Sequence, residues 1–264
     1  MGKIKLSQII LYITILFLLR AFAFSEETKT TRLNTLDWNV GLELASFRDD
    51  LIVPLGFHGP GVIVGSAFQR QQGDWQLDMS FSYKFDFLFN RFSHLGIAFS
   101  VDANPGILRT IHSHENQGNF KAGLAMPLKI NNYFPFSWDD AHLYWFTIRS
   151  VAMALEWTTP PASRRNLTLH MEIPLFTQIS RPPVYRHNKQ DPGLAYWGFQ
   201  STEAKQQYKT VPWADYQCVW ISGEYRTTTK SSWIVGFEYD HTAIPKDAWA
   251  MSTSLRYARK FRSW

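Results

Sequence analysis

The stretch from Trp75 to Phe89, WQLDMSFSYKFDFLF, carries an apolar residue at every odd position, while the even positions, Leu88 apart, are Gln, Asp, Ser or Lys. Successive side chains of a strand point to opposite faces, so this segment is a β-strand with one apolar and one polar side. The same period recurs along the chain. Leu36, Trp38, Val40, Leu42 and Leu44 alternate with Asp37, Asn39, Gly41 and Glu43; Leu95, Ile97, Phe99 and Val101 with Gly96, Ala98, Ser100 and Asp102. Leu167, Leu169, Met171 and Ile173 oppose Thr168, His170 and Glu172, and Trp233, Val235, Phe237 and Tyr239 oppose Gly236 and Glu238. No comparable 3.6-residue stripe is present.

Ten strands follow from this pattern, at about 35–47, 61–70, 75–89, 94–104, 119–130, 143–157, 167–179, 213–226, 232–240 and 249–261. Turn-like segments such as QQGD and TTTKS separate them. One long interruption, 181–212, is rich in Pro, Gly and polar residues. No repeat, charge run or low-complexity tract divides the chain, which reads as one domain.

A soluble antiparallel sandwich also alternates, but its strands average about five or six residues. Here they run about ten to fifteen, the length of a tilted bilayer crossing. The apolar face is also bounded by aromatics: Trp75 and Phe89 bracket one strand, Trp157 closes another, and Trp213, Trp233 and Trp249 open three more. An apolar band between aromatic girdles, with small and charged residues turned inward, describes a single antiparallel transmembrane β-barrel. The fold expected is therefore all-β, with ten strands and with eight or twelve as the alternative counts. One residue strains the pattern: strict alternation back from Trp157 puts Arg149 on the lipid face, where a midplane Arg costs about 2–4 kcal/mol. A β-bulge at Arg149–Ser150 would remove it, and is expected.

The N-terminus reads as a targeting segment. A basic start, MGKIK, precedes the apolar run IILYITILFLL and the small residues Ala21 and Ala23, the order of a secretory signal. Residues 1–23 are expected to be a signal peptide and 24–264 the barrel domain. Their removal takes away Lys3, Lys5 and Arg20, so the formal charge falls from +5 to +2, and no nucleic-acid partner is expected. Cys218 is the only cysteine, so no intramolecular disulfide forms.

The final segment, LRYARKFRSW, ends on Trp264. In this it resembles bacterial outer-membrane barrels, whose last strand commonly ends in an aromatic residue read by the insertion machinery. Leu255, Tyr257 and Phe261 fit such a strand, whereas Lys260 and Arg262 depart from the pattern. The resemblance is to the class and to no single family. It implies a bacterial outer-membrane location, with membrane lipid, lipopolysaccharide and the barrel-insertion machinery as partners. With a periplasmic N-terminus, segments 48–60, 90–93, 131–142, 180–212 and 241–248 face outward. Segments 71–74, 105–118, 158–166 and 227–231 face the periplasm, and 105–118 is long for that side.

Two polar segments carry histidines. HSHENQG holds His112 and His114 around Ser113, with Glu115 and Asn116 following. The donor types suit a metal, and the composition resembles, out of order, the His, Ser and Asn of outer-membrane phospholipases; the plainer reading is a polar turn. WDDAH holds Asp140 and His142 on an expected outer loop. It resembles part of the omptin proteases, ten-stranded barrels with Asp and His at the rim, but lacks their paired acids. The best-supported constellation faces inward: Glu43, Asp78, Lys84, Asp86, Asp102, Lys121, Glu172, Glu224, Glu238 and Arg256. Barrels of about eight strands are filled by side chains and open channels appear at about sixteen, so a ten-stranded barrel should be plugged. No cofactor or metal is expected. Three functional readings follow: a non-enzymatic outer-membrane protein whose outer loops contact a ligand or surface, a membrane-embedded hydrolase, and a narrow transport barrel for a small or apolar solute.

Overall fold

Strands this long and this amphipathic cannot leave an edge unpaired in lipid, and the chain resolves the problem by closing on itself. The computed structural model describes residues 33–50, 53–135, 144–160, 166–181, 207–212, 215–228, 230–243 and 246–261, the side chains of 53–55 and 135 excepted. The expected signal peptide and Trp264 lie outside the described residues. The strands are β1 (Leu33–Asp49), β2 (Val53–Gln72), β3 (Trp75–Phe89), β4 (Leu95–His114), β5 (Gly118–Ala125), β6 (Leu128–Pro135), β7 (Tyr144–Thr158), β8 (Asn166–Ser180), β9 (Lys209–Val211), β10 (Tyr216–Arg226), β11 (Ser231–Thr242) and β12 (Ala248–Phe261).

They form a closed antiparallel barrel of ten wall positions. β1 to β4 pair in sequence, and β7, β8, β10, β11 and β12 continue the ring until β12 pairs back onto β1. β5 and β6 share the fifth position, each lying between β4 and β7. Pro127 separates them because it offers no N–H to the ladder. The register nonetheless runs on unchanged, and the Met126 amide donates to the Pro105 carbonyl (2.8 Å) and Ser150 to Pro127 (3.0 Å). β9 is a short piece paired with the end of β8.

The outer surface is an apolar belt. Trp38, Val40, Leu42 and Leu44 on β1, Val62 and Val64 on β2, Phe81 and Phe87 on β3, and Trp233 and Val235 on β11 are all exposed. Exposed apolar surface this continuous marks contact with a partner or a membrane, and a belt around a closed barrel suits lipid alone. The alternate residues turn inward, so Glu43, Lys84, Asp86 and Glu172 are buried.

Strand boundaries differ from the expected ones chiefly in length. β4 does not end near 104 but continues to His114, so the expected long segment 105–118 is a tight turn at 115–117, closed by Gly118 at φ +87°. Pro105 and Gly106 read as turn residues, yet both sit within the ladder opposite Met79 and Asp78. Likewise β2 begins at Val53 and β6 runs to Pro135, shortening the expected segments 48–60 and 131–142. The long connections therefore all lie at one end, the loop end. The end carrying Leu33 and Phe261, the terminal end, has tight turns.

The bulge expected at Arg149–Ser150 is not there. β7 alternates without interruption and Arg149 points outward, exposed, its guanidinium 3.9 Å from the Tyr208 ring centroid. The phase shift sits instead on β8, where Val151 pairs with Phe176 but Ala152 pairs with Pro174, leaving Leu175 as the extra residue. Arg149 stands eight residues from Trp157, a height of about 20 Å along a tilted strand. That puts it near the margin of an apolar band about 25 Å tall, where the cost of a charge falls towards zero.

Candidate functional site

The polar and apolar side chains turned into the barrel sort into three layers. At the terminal end lies a cavity of about 280 Å³, lined among others by Asp37, Asp78, Lys121, Glu224, Arg226 and Lys260. On its wall Lys121 pairs with Glu156 at 2.9 Å and also donates to Gln76. Gln76 in turn donates to Asp78 at 2.7 Å. Glu224 is only loosely paired, its carboxylate 4.0 Å from Arg226. Arg256 lies across Gly41 and Gly236, whose missing side chains make room for it.

The middle layer is a buried ion cluster. Lys84 reaches Asp102 at 3.0 Å, Glu238 at 3.1 Å and Glu43 at 3.6 Å. Lys129 reaches Glu238 at 2.7 Å and Asp240 at 3.5 Å. Asp86 is packed against Glu43, within hydrogen-bonding reach, and occupies the space where a Cβ on Gly61 would stand. Only a glycine at 61 leaves that room. Beside the cluster, Glu172 accepts from Asn104 at 2.5 Å and contacts His170 at 2.8 Å. A cavity of only about 40 Å³ remains in this layer, space for a water or two.

The loop-end layer is apolar. Phe47 stacks on Tyr133 (centroids 4.0 Å apart) and leans on Tyr144. Phe146, Ile179, Cys218 and Trp220 complete the same buried cluster. Asp240 ties this layer to the ions below it, accepting from Tyr216 at 2.6 Å and from Trp220 at 2.8 Å. Lys129 also lies 4.2 Å from the Trp220 ring. Above the cluster Tyr144 donates to Asp49, and Arg181 spans from Asp49 (2.5 Å) to the Lys246 carbonyl (2.7 Å).

All ten residues read as inward-facing thus lie on the lumen side, in two groups. Glu43, Lys84, Asp86, Asp102 and Glu238 converge in the middle layer, with Glu172 at its edge. Asp78, Lys121 and Glu224 line the terminal cavity, and Arg256 sits beside it. Lys129, Glu156 and Asp240 are equal members that the sequence reading passed over, although each has the inward parity of its strand.

The histidines are placed elsewhere. A bulge at Ile111, between the pairs Thr110–Lys121 and His112–Phe120, turns His112 and His114 to the outside of the barrel. Their rings stack 6.2 Å apart. His112 contacts the Gln117 side-chain amide (3.3 Å), and His114 accepts from the Asn116 backbone (3.2 Å). Among the described residues neither ring touches a carboxylate, and no three potential metal ligands cluster. Asp140 and His142 lie outside the described residues, as do residues 182–206 of the long connection.

No protein-family model and no curated protein matches the chain. Among solved structures, the outer membrane protease OmpT from Escherichia coli superposes with a TM-score of 0.51 at 8% identity, covering 89% of this chain and 99% of that one. Neisserial surface protein A matches with a TM-score of 0.37 at 10% identity (86% and 97% covered). The translocator domain of the autotransporter NalP from Neisseria meningitidis matches at 0.36 and 10% (97% and 98% covered). The likeness to OmpT is one of fold. The chain is a β-barrel of the bacterial outer-membrane class.

Proposed function

We propose that the chain is an integral protein of the bacterial outer membrane whose sealed barrel is a rigid mount for its loop end, and that it is not an open diffusion pore. The observation that carries this reading is the stacking of two closures in one lumen. The ion cluster of Lys84 and Lys129 crosses the middle, and the apolar cluster around Phe47, Tyr133 and Trp220 fills the lumen above it. Water and ions have no axial route through both. The loop end then faces outside the cell, since the tight turns of such barrels are periplasmic.

What the mount holds is the connection that starts at Arg181. Its segment 182–206 contains Tyr185, Arg186, His187, Lys189, Trp197 and Phe199, donors and aromatics suited to an anionic surface such as the phosphates of lipopolysaccharide. Planar-bilayer recording of the refolded protein tests the seal: no stepwise conductance of porin size is expected, and such steps would overturn it. Shaving whole cells with trypsin tests the orientation. Cleavage at Arg186 or Lys189 is expected without breaching the outer membrane, and cleavage only after a breach would invert the topology.

A further inference from the structure

The barrel wall has one weak seam. β8 and β10 are paired from Asn166–Arg226 to Glu172–Trp220, and pairing along β8 resumes only between Thr177 and Val211 of β9. Between these two registers, 173–176 on one side faces 212–219 on the other, four residues against eight. The described backbone on the longer side turns away from β8. Asp215 and Tyr216 donate to the Pro212 carbonyl, and Ala243, just past β11, donates to Asp215. On the shorter side Pro174 has no N–H to give, and Leu175 is the bulged residue.

The seam lies at membrane depth. Pro174 pairs with Ala152, five residues above Trp157, or about 12 Å up a tilted strand and inside the apolar band. Unpaired backbone is tolerated there only where it is buried in protein or lines a cavity. The outward side chains at the seam are apolar and exposed: Leu175, Val219 and Ile221. So are the inward ones behind it: Ile179, Val211, Cys218 and Trp220 belong to the buried apolar cluster. The lumen of such a barrel is ordinarily polar. An unpaired stretch of wall and an apolar interior therefore coincide, joining lipid to lumen by a continuous apolar surface.

We propose that the β8–β10 seam is a lateral port through which an acyl chain passes between the outer leaflet and the apolar cluster. The inference rests on the reading of this barrel as outer-membrane and axially sealed. An acyl chain fits because it is what the bilayer presents at that depth, and because the surface behind the seam offers apolar contact while the ion layer below stops anything further. Parting the strands at this point breaks no described backbone hydrogen bond between them.

Cys218 is a built-in reporter, being the only cysteine, inward-facing, buried and within the unpaired span of β10. The full chain is refolded into phosphatidylcholine vesicles, with folding checked by heat-modifiable gel mobility. It is then treated with pyrenyl maleimide, which partitions into lipid, or with a permanently charged methanethiosulfonate; Cys218→Ser reports background. Pyrene labelling at least about tenfold faster than charged labelling, slowed by oleate in the vesicles, is expected, because thiol modification follows access. Equal reaction with both reagents would show an aqueous route and overturn the sealed-lumen reading and the port together. Reaction with neither would overturn the port and leave the seal standing. Pyrene labelling that oleate does not slow would overturn the acyl-chain assignment.

Discussion

Arg181 and Asp49, 132 positions apart in the chain, meet at the loop end with 2.5 Å between guanidinium and carboxylate and both side chains almost wholly buried. Each is also held by a third group, Arg181 by the Lys246 carbonyl and Asp49 by the Tyr144 hydroxyl. Removing one partner of a buried pair leaves an uncompensated charge and costs about 3–5 kcal/mol. Arg181→Met is therefore expected to lower the urea midpoint of the folded barrel, read by gel mobility. The double variant Arg181→Met with Asp49→Asn should recover part of the loss. No recovery would mean that the pair acts through packing rather than charge.

The ion cluster makes a second comparison. Lys84→Met strands Asp102, Glu238 and Glu43, all turned into the lumen, and should cost about 3–5 kcal/mol. Arg226→Met removes a part-exposed partner 4.0 Å from Glu224 and should cost about 1 kcal/mol or less. Urea titration of the two variants in the same vesicles gives the order. Equal losses would show that the middle layer is no more sensitive than the terminal cavity.

The two faces of β3 give a third. Phe81 is exposed on the outer belt while Ser80 lines the terminal cavity. Phe81→Arg sets a charge against hydrocarbon, at about 2–4 kcal/mol near the midplane, and should block insertion. Ser80→Arg meets an aqueous cavity that already holds acidic groups, and its folded yield should stay close to that of the parent protein. Comparable yields of both variants in lipid vesicles would reverse the assignment of faces.

The histidine pair gives a fourth. His112 and His114 stack outside the barrel without a carboxylate. Zinc should leave the melting temperature unchanged, and His112→Ala with His114→Ala should shift stability by less than about 0.5 kcal/mol, as for surface substitutions away from a structured site. A zinc-dependent rise in melting temperature would establish a metal site there.

How much of this was legible depends on what each feature needs. Period two needs only local sequence, so β3 is read to the residue and the ten wall positions emerge. Strand ends are harder, because Asn104-Pro105-Gly106 and His58-Gly59-Pro60-Gly61 carry the residues of turns. Their neighbours decide otherwise. The Pro105 carbonyl accepts from Met126 across the wall, and Gly61 clears room for Asp86. Phase is harder still. The shift near Arg149 belongs to β8, at Leu175, and only the pairing of two strands reveals which one carries the extra residue. The inward charges follow from parity, but their grouping into a central cluster and a terminal cavity depends on which strands become neighbours. The apolar cluster at the loop end was not foreseen, since Tyr133, Phe146 and Trp220 look individually like membrane-facing aromatics.

The pairing of β1 with β12 also sets an order of events. Fourteen residue pairs, from Leu36–Phe261 to Asp49–Ala248, join the first described strand to the last. These partners lie far apart in sequence, and closing so long a loop is disfavoured until many contacts form at once. Until β12 arrives, β1 and β11 each present a bare row of backbone donors and acceptors, a template for pairing with other chains. A nascent or truncated chain ending before Ala248 is thus an aggregation hazard, and its survival in the cell depends on a chaperone that covers both edges.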